Sequence, residues 1–412
     1  MIRLLLPQIQ RFAWGSPTAI PEILGIEVNG EPLAEAWFGA TSQVAPGPVI
    51  DLTDRPKDGE WPLLGELVSD SPRIVLGDDS ERGVDGHLRF PFLVKFLAAA
   101  WPLSIQVHPS VDHARAGFAR ENSAGIPLDS PERIYKDPNA KPEAIVALEP
   151  FQLLAGFRDP VGSAELIDEL GIASLASVAE VLRRGGAAGV EAALRHLCQL
   201  EEDAAAKTVS EVVAACDQAS RENTTHAEQC GWVARLGRDF PADVGVVFAL
   251  LMNHLHLDPF DLAFVPEGMV HSYLVGSGLE VMGNSDNVVR GGLTIKPTHL
   301  DELLQVVDFE PGLPKVVRAD GGAAGSYDIP SDAFALDVID IRGDSATHHA
   351  SEGPEIIVTL DGAVDAHHDS EEAALPLSRG AAAFVAAGTG RYRLAGEGRI
   401  ARITLPRITP PR

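Results

Sequence analysis

The stretch 262–296 constrains the fold of this chain most. Its apolar beginning, 262–265, predicts a buried β-strand, and Pro266 and Gly268 predict a tight turn directly after it. His271 follows three residues past that glycine, at the start of what is predicted to be a second strand. Together these features predict a β-hairpin that holds an imidazole at a fixed place.

The rest of this stretch carries a mixture of charges that a purely structural hairpin rarely needs. A glycine-rich turn at Gly276 and Gly278 is expected to lead into a further strand. Residues two apart on a strand share a face, so several polar side chains can point into one interior. These side chains are Tyr273, Glu280, Asn284, Asp286, Arg290 and Lys296. Their chemistry indicates a functional site.

Three other positions can complete a metal site with His271. The run 102–109 alternates polar and aliphatic residues, so Gln106 and His108 share one face, and neighbouring apolar sequence predicts that this face points inward. Glu143 begins a later apolar strand. Two imidazoles, a carboxylate and an amide oxygen suit a borderline divalent ion, Zn²⁺ first among them, and the lack of thiolates favours a catalytic ion. The sequence therefore predicts one zinc ion per chain on these four residues.

The other histidines lack the strand-and-turn context of His271, and we interpret those of the following set as surface or structural residues. They are His113, His254, His256, His348, His349, His367 and His368.

Charge and cysteine usage limit the partners and the compartment. The formal net charge of −26 argues against nucleic acid and against anionic membrane surfaces as partners. Local positive charge in a cleft can still attract an anionic substrate, because screening acts beyond roughly 8 Å at physiological salt.

Cys198, Cys216 and Cys230 have no Cys-x-x-Cys spacing, which indicates free thiols in a reducing compartment. Pro7 interrupts the N-terminal apolar run, and no segment approaches the ~20 apolar residues of a membrane span, so we expect a cytoplasmic protein.

The order of segments predicts a mainly β protein with a helical insertion. Residues 161–255 are rich in alanine at helical spacing, and Ser177 with Glu180 predicts a capping box there. Strand patterns precede and follow this insertion, among them the continuous apolar run 92–97. Shorter helices are expected around 63–68, within 110–140 and near 298–308, and none is expected after residue 310.

The strand-and-turn motif has an echo near the C-terminus. The pattern Phe-Val-Pro-x-Gly-x-x-His at 264–271 recurs at 384–391 as Phe-Val-Ala-x-Gly-x-x-Arg. The second copy has lost the proline and the histidine. The echo favours a second, related barrel without a metal, and a chance match of strand and turn residues is the alternative.

These motifs resemble a known family. Pro-x-Gly-x-x-His after a strand is the second signature of the cupin barrels, and Gln-x-His with a later Glu resembles the first. More narrowly, four segments together resemble the type I mannose-6-phosphate isomerases, over nearly the whole chain. They are PLSIQVHP (102–109), KPE (141–143), VPEGMVHSY (265–273) and NSDNVVRGGLTIK (284–296).

The resemblance implies two cupin-type β-barrels of the jelly-roll kind plus an α-helical domain. The implied divisions are a catalytic barrel at 1–160 and 256–310, the helical domain at 161–255, and a degenerate barrel at 311–412. The implied activity is a zinc-dependent aldose–ketose isomerase that interconverts mannose 6-phosphate and fructose 6-phosphate through proton transfer in an enediol or enediolate. The expected partner is a small sugar phosphate, and a monomer or a homodimer is expected.

The resemblance also implies roles for individual residues. It implies zinc on Gln106, His108, Glu143 and His271. The implied catalytic residues are Arg290, Lys141, Glu280 and Asp286, and either Glu280 or Asp286 serves as the base. The candidate contacts of the substrate or its phosphate are Ser104, Lys296 and Tyr273.

Two positions depart from the family pattern and leave alternatives open. Ala140 and Thr41 stand where the family usually has histidine. An isomerase for a related sugar phosphate and a metal-binding or sugar-binding cupin without isomerase activity are therefore kept as alternatives. A cupin oxygenase with iron is a further rival, against which the Gln ligand and the Lys-Pro-Glu motif count.

Overall fold

The structure is a computed structural model. It describes residues 1–40, 49–50, 61–77, 89–222, 225–319, 325–343, 347–351, 353–368 and 373–406. Thr41, one of the two departures from the family pattern, lies outside the described residues.

The described elements mix strands and helices along the chain. The strands are β1 (Ile2–Leu5), β2 (Gln8–Gln10), β3 (Glu35–Phe38), β4 (Val49–Ile50), β5 (Phe92–Ala99), β6 (Ile105–Val107), β7 (Glu143–Ala147), β8 (Phe151–Phe157), β9 (Met252–Leu257), β10 (Leu262–Val265), β11 (His271–Gly283), β12 (Val289–Gly292), β13 (Lys315–Val317), β14 (Gly325–Ser326), β15 (Ala335–Ile341), β16 (Thr347–Ser351), β17 (Glu355–His368), β18 (Leu375–Ser378), β19 (Ala382–Val385) and β20 (Gly390–Thr404). The helices are α1 (Ala19–Leu24), α2 (Leu64–Asp70), α3 (Pro72–Leu76), α4 (Val111–Ser123), α5 (Pro160–Glu169), α6 (Ala176–Leu182), α7 (Gly186–Cys198), α8 (Glu202–Ala219), α9 (Ala227–Asp239), α10 (Gly245–Leu251) and α11 (Leu300–Val306), with a 3₁₀ turn at Ala173–Leu175.

The described strands form two antiparallel sheets. The first runs β13-β10-β7-β11-β5-β3-β2, and β6, β8, β9 and β12 join it through β11. The second runs β14-β15-β20-β17-β19-β1-β4, with β16 and β18 at its sides. The strand at the N-terminus thus completes the C-terminal sheet, where Ile2 lies opposite Val385. The protein is therefore a mixed structure of helices and antiparallel sheets.

Helices α5 to α10 occupy the segment in which the sequence predicts helices. Helix α5 has a favourable N-terminus. Asp159 caps it by accepting a hydrogen bond from the amide of Gly162 at 2.7 Å, and Pro160 is its first residue. The predicted capping box at Ser177 is wrong, since α6 begins at Ala176 and the Ser177 hydroxyl contacts Nε2 of His196 at 3.1 Å. No helix in the described parts of the chain combines the length and the apolar character needed to cross a membrane.

The helices support strand β6, which carries Gln106 and leads directly into His108. Their apolar sides form one buried cluster with Ile105 and Val107 of β6 and Leu154 of β8. The aliphatic residues of β6 therefore face the helices, which leaves Gln106 on the opposite face, as the alternation predicts.

Strand β11 is continuous, so the predicted glycine turn within it is wrong. The strand instead bends, with a register irregularity between Tyr273 and Val275 and a φ of 120° at Gly276. A Cβ at Gly276 would lie 2.8 Å from the carbonyl oxygen of Pro150, so only glycine fits there. Strand β11 thus carries His271 at its start, where it pairs with β6 and β8, and Glu280 near its end, where it pairs with β5 and β7.

The two copies of the sequence echo adopt the same local structure. Each is a short strand, a turn and a long strand: β10 with β11, and β19 with β20. Glu143 lies opposite Val265 in the first sheet, and Glu355 lies opposite Val385 in the second. The two glutamates therefore occupy equivalent places. Glu355, however, contacts Arg402 at 2.6 Å and accepts a hydrogen bond from the hydroxyl of Tyr392 at 2.5 Å.

Candidate active site

Three of the predicted metal ligands meet in a buried group. Nε2 of His108 lies 3.2 Å from one carboxylate oxygen of Glu143, and Nε2 of His271 lies 3.3 Å from the other. All three residues are at most 1% exposed, and their ligand atoms lie within 4.8 Å of one another. Strands β6, β7 and β11 and the turn after β10 bring them together from distant parts of the sequence.

Hydrogen bonds orient both imidazoles toward Glu143. Nδ1 of His108 donates to the carbonyl of Asn287 at 2.8 Å, and Nδ1 of His271 donates to the carbonyl of Met269 at 3.0 Å. Each Nε2 is then the unprotonated nitrogen, assigned from these partners. Burial and the nearby Lys141 ammonium lower the pKa of His108 to about 4, which keeps its ring neutral.

This group fits a bound cation. Nε2 of each histidine and one oxygen of Glu143 have no hydrogen-bond partner, although they are buried. Lone pairs that converge without a proton between them repel one another, and burying such atoms without a partner is costly. Two neutral imidazoles and a carboxylate are ligands that zinc prefers. The donor set and its unpaired atoms therefore match a divalent metal.

Two further predicted residues border the metal group. Lys141 contacts Glu143 at 3.0 Å and is buried. Burial by itself would raise the pKa of Glu143, but Lys141 and His108 more than offset this and hold that pKa well below its usual range. Strand β6 lies between β11 and β12, so Gln106 pairs with His271 on β11 and with Arg290 on β12. The sheet therefore brings the fourth predicted ligand beside the group. Ala140, the described departure from the family pattern, is half-buried directly before the lysine.

Glu280 belongs to a buried network beside the metal group. The hydroxyl of Tyr273 donates to one of its oxygens at 2.7 Å, and Lys95 lies 2.5 Å from the other. Lys95 also contacts Glu35 at 3.0 Å, and the indole of Trp37 donates to Glu35 at 2.8 Å. Burial raises the pKa of Glu280, and the Lys95 ammonium opposes only part of that shift.

Sequence reasoning missed Lys95 and Glu35. The apolar run that contains Lys95 predicts a buried strand, and the structure buries β5 completely. A lysine inside such a strand needs a buried carboxylate nearby, because an unpaired buried ammonium is very costly. That lysine is therefore the signal that could have found the network.

Asp286 lies in the loop between β11 and β12, and the group of potential metal ligands does not include it. Its backbone amide donates to the carboxylate of Asp137 at 2.8 Å. The next residue, Asn287, is fully buried. Its side chain accepts from the amides of Lys136 and Asp137 at 2.7 and 3.2 Å, and it donates to the carbonyls of Asp137 and Asn139 at 2.8 and 3.0 Å. Asn287 thus joins two loops and, through its own carbonyl, orients His108.

The candidate phosphate contacts are less buried than the metal group. Arg290 is half-buried on β12, and Lys296 is exposed, with Nζ 5.6 Å from the ring centre of Phe12. Burial lowers the pKa of Arg290, and burial and the Arg290 charge lower that of Lys296. Neither forms an ion pair within the part of the chain that the structure describes, so both cations are available to an anion. Ser104 is half-buried just before β6.

Replacing Tyr273 with phenylalanine tests whether its hydroxyl orients Glu280. We expect a loss of about 1.5–3 kcal/mol in unfolding free energy, the usual contribution of a hydrogen bond to a charged group. We also expect kcat to fall by about tenfold or more, because misplaced reacting groups are costly to catalysis. Urea denaturation and steady-state kinetics measure the two effects.

Tyr392→Phe is the matched control for this variant. It removes the same type of hydrogen bond from Glu355 in the second sheet. A similar loss of stability with unchanged kcat is expected. Equal effects of the two variants on kcat would contradict the positioning role of Tyr273.

Comparison with known proteins finds relatives that match nearly the whole chain. The family model described as "Phosphomannose isomerase type I, catalytic domain" matches residues 2–160. Mannose-6-phosphate isomerase of Escherichia coli strain K12 is 34% identical over 411 residues, which is 97% of this chain and 98% of that protein. The enzyme of Rattus norvegicus is 28% identical, and the match covers 92% of each chain.

Solved structures give the same result. The crystal structure of mannose 6-phosphate isomerase from Salmonella typhimurium, bound to its substrate and a zinc atom, has a TM-score of 0.85 at 32% identity. The match covers 98% of this chain and 99% of that one. A zinc-bound holo structure of mannose 6-phosphate isomerase gives the same TM-score, identity and coverage. With these full-length matches and the buried His108–Glu143–His271 group in place, the chain belongs to the type I phosphomannose isomerase family.

Proposed function

We propose that this chain is a zinc-dependent aldose–ketose isomerase that interconverts mannose 6-phosphate and fructose 6-phosphate. The observation that carries the proposal is the buried group of His108, Glu143 and His271, whose unpaired atoms converge on one point. A carboxylate suited to proton transfer lies beside it, and two less buried cations, Arg290 and Lys296, are available to an anion. The substrate and zinc in the related Salmonella structure support the assignment.

Four residues would hold the metal. His108, Glu143 and His271 supply two nitrogens and a carboxylate oxygen, and Gln106 supplies an amide oxygen from the adjacent strand. When bound, zinc acts as a Lewis acid that polarises a substrate oxygen.

Glu280 is the base that the geometry favours over Asp286. It takes the proton from C2 of the aldose and returns it to C1, while a hydroxyl proton moves between O2 and O1, so the reaction balances without a co-reactant. Burial raises the pKa of Glu280, which brings a carboxylate closer to the pKa a base needs near neutral pH. Tyr273 and Lys95 fix both of its oxygens. Asp286, by contrast, is half-buried in the loop at Asp137.

Positive side chains stabilise the charge that develops on the substrate oxygens. Lys141 lies 3.0 Å from Glu143 and can supply a proton or a positive charge close to the reacting atoms. Arg290 lies beside Gln106 in the sheet and can contact the enediolate or the phosphate, since a guanidinium binds phosphate with two parallel hydrogen bonds. Lys296 and Ser104 complete the proposed phosphate site.

The domain divisions are proposed as the sequence predicts them. The two sheets are cupin-type jelly-roll barrels, one catalytic at 1–160 and 256–310 and one degenerate at 311–412, with a helical domain at 161–255. The repeated strand-and-turn unit supports this arrangement. Strand β1 joins the C-terminal sheet and β13 joins the first, so the two barrels exchange strands at their border.

The proposed setting is the cytoplasm, with a monomer or homodimer as the working form. Cys198, Cys216 and Cys230 are free thiols, in agreement with the sequence prediction. Free buried thiols are typical of proteins from reducing compartments.

A coupled assay of the purified protein tests the function. We expect conversion of mannose 6-phosphate to fructose 6-phosphate, loss of at least about 90% of the rate after chelation, and recovery when zinc is added, because the metal supplies several kcal/mol of transition-state stabilisation. Turnover of a different sugar phosphate alone would favour the related isomerase. Oxygen consumption would favour an oxygenase. No turnover in zinc-loaded protein would leave a binding protein and would overturn the proposal.

A further inference from the structure

A second group of potential metal ligands lies outside the active site. Glu228 of α9 and His254 and His256 of β9 place one ligand atom each within 4.8 Å of one another. Nε2 of His256 lies 3.0 Å from a carboxylate oxygen of Glu228, and the two imidazole centres are 4.7 Å apart. The sequence analysis interprets both histidines as surface or structural residues, and their i, i+2 spacing repeats that of Gln106 and His108.

The neighbouring strand fixes the orientation of His254. The indole of Trp232 donates to Oε1 of Gln152 at 2.7 Å, and Nε2 of His254 lies 3.0 Å from the same oxygen. An indole N–H can only donate, so this oxygen is an acceptor, and Nε2 of His254 must carry the proton. Nδ1 of His254 is then unprotonated. A hydrogen bond from the non-coordinating nitrogen to a neighbouring oxygen is the usual support of a metal-bound histidine.

The fold also fixes Glu228 relative to β9. The next residue, Gln229, is buried and donates to the carbonyls of Ala249, Leu250 and Met252 at 3.2, 3.3 and 2.8 Å. Its oxygen accepts a hydrogen bond from Arg158. The start of α9 is thereby tied to the point where β9 begins, so the carboxylate and the two imidazoles come from elements that are held together.

An ion can reach this group from solvent. His256 and Glu228 are exposed and His254 is half-buried. All three border a cleft of about 450 Å³ that also includes His226 and Asn253. Two nitrogens and one carboxylate oxygen suit a borderline ion such as Zn²⁺, and water would fill the remaining positions.

We propose that Glu228, His254 and His256 form a second zinc site, which joins helix α9 to strand β9. The site is independent of the proposed isomerase activity, because its ligands come from α9 and β9 and none belongs to the active-site group. A metal here contributes to the stability of the contact between the helical segment and the first sheet, since a ligand that binds only the folded state stabilises that state.

Zinc titration of the chelator-treated full chain tests the proposal by isothermal calorimetry and metal analysis. We expect two zinc ions per wild-type chain. The His256→Gln variant should bind one, with at least a tenfold loss of affinity at the lost site. His113→Gln removes an exposed histidine of α4 and should still bind two. One zinc ion per wild-type chain, or two in His256→Gln, would overturn the proposal.

A second measurement separates this site from the active site. In a Glu143→Gln background, added zinc should raise the thermal midpoint of unfolding, and the further change His256→Gln should remove that rise. Isomerase activity of the single variant His256→Gln should equal that of the wild type after zinc loading. An equal rise in midpoint with and without His256 would contradict the proposal, whatever the outcome of the activity assay.

Discussion

The Glu143→Gln variant should lose at least about three orders of magnitude in kcat/KM, because a catalytic metal supplies several kcal/mol and each 1.4 kcal/mol is a factor of ten. The substitution keeps the size of the side chain but removes the charge between His108 and His271. It also leaves Lys141 buried without its carboxylate, which is costly. Steady-state kinetics and bound zinc per chain, compared with the wild type, measure the result.

Glu149→Gln is the control for this variant. Glu149 is exposed in the turn after the same strand, so the identical chemical change should leave activity and zinc content unchanged. Far-UV circular dichroism distinguishes loss of the site from loss of the fold. A folded Glu143→Gln protein with wild-type activity would refute the metal site.

Asn287→Ala should be strongly destabilising. The side chain satisfies four backbone groups of the loop 136–139. Each buried group left without a partner costs about 1–3 kcal/mol, so a total loss of about 4 kcal/mol or more is expected. The carbonyl of Asn287 also orients His108, so zinc affinity should fall by about 10–100-fold. Denaturant unfolding and zinc titration measure the two effects.

Asn139→Ala in the same loop is the comparison. Among the residues that the structure describes, its side chain makes one hydrogen bond, to the carbonyl of Asn284 at 3.2 Å, and it is half-buried. We expect a loss of about 1 kcal/mol and no change in zinc affinity. If the two alanine variants lost equal stability, Asn287 would have no special role in joining the loops.

The sequence predicts those parts of the site that local patterns determine. Strand alternation places Gln106 and His108 on one face, and the Pro-x-Gly turn marks His271. The predicted helical segment and the absence of helices after the short one at 298–308 agree with the described residues. Each of these features depends on neighbours close in sequence, where periodicity and turn chemistry act.

The remaining features depend on contacts between distant segments. Whether Lys95 meets Glu280 and Glu35, or Asn287 meets the loop 136–139, follows from the pairing of strands far apart in sequence. The bend of β11 escaped prediction because glycine is typical of turns and also of strands that a neighbouring backbone approaches closely. The link between Glu228 and His256 likewise requires α9 to pack on β9.

The ion pair of Glu355 with Arg402 shows a second way to neutralise a buried carboxylate such as that of Glu143. Both sheets bury a carboxylate at the equivalent position, and both must neutralise it. Glu143 has the ammonium of Lys141 beside it at 3.0 Å, and the proposed zinc ion would add a second cation that can be exchanged. Glu355 has its counter-charge, Arg402, encoded in the chain. Both copies therefore carry a cation that the sequence encodes, and the copy with Glu143 would differ by also holding an exchangeable one.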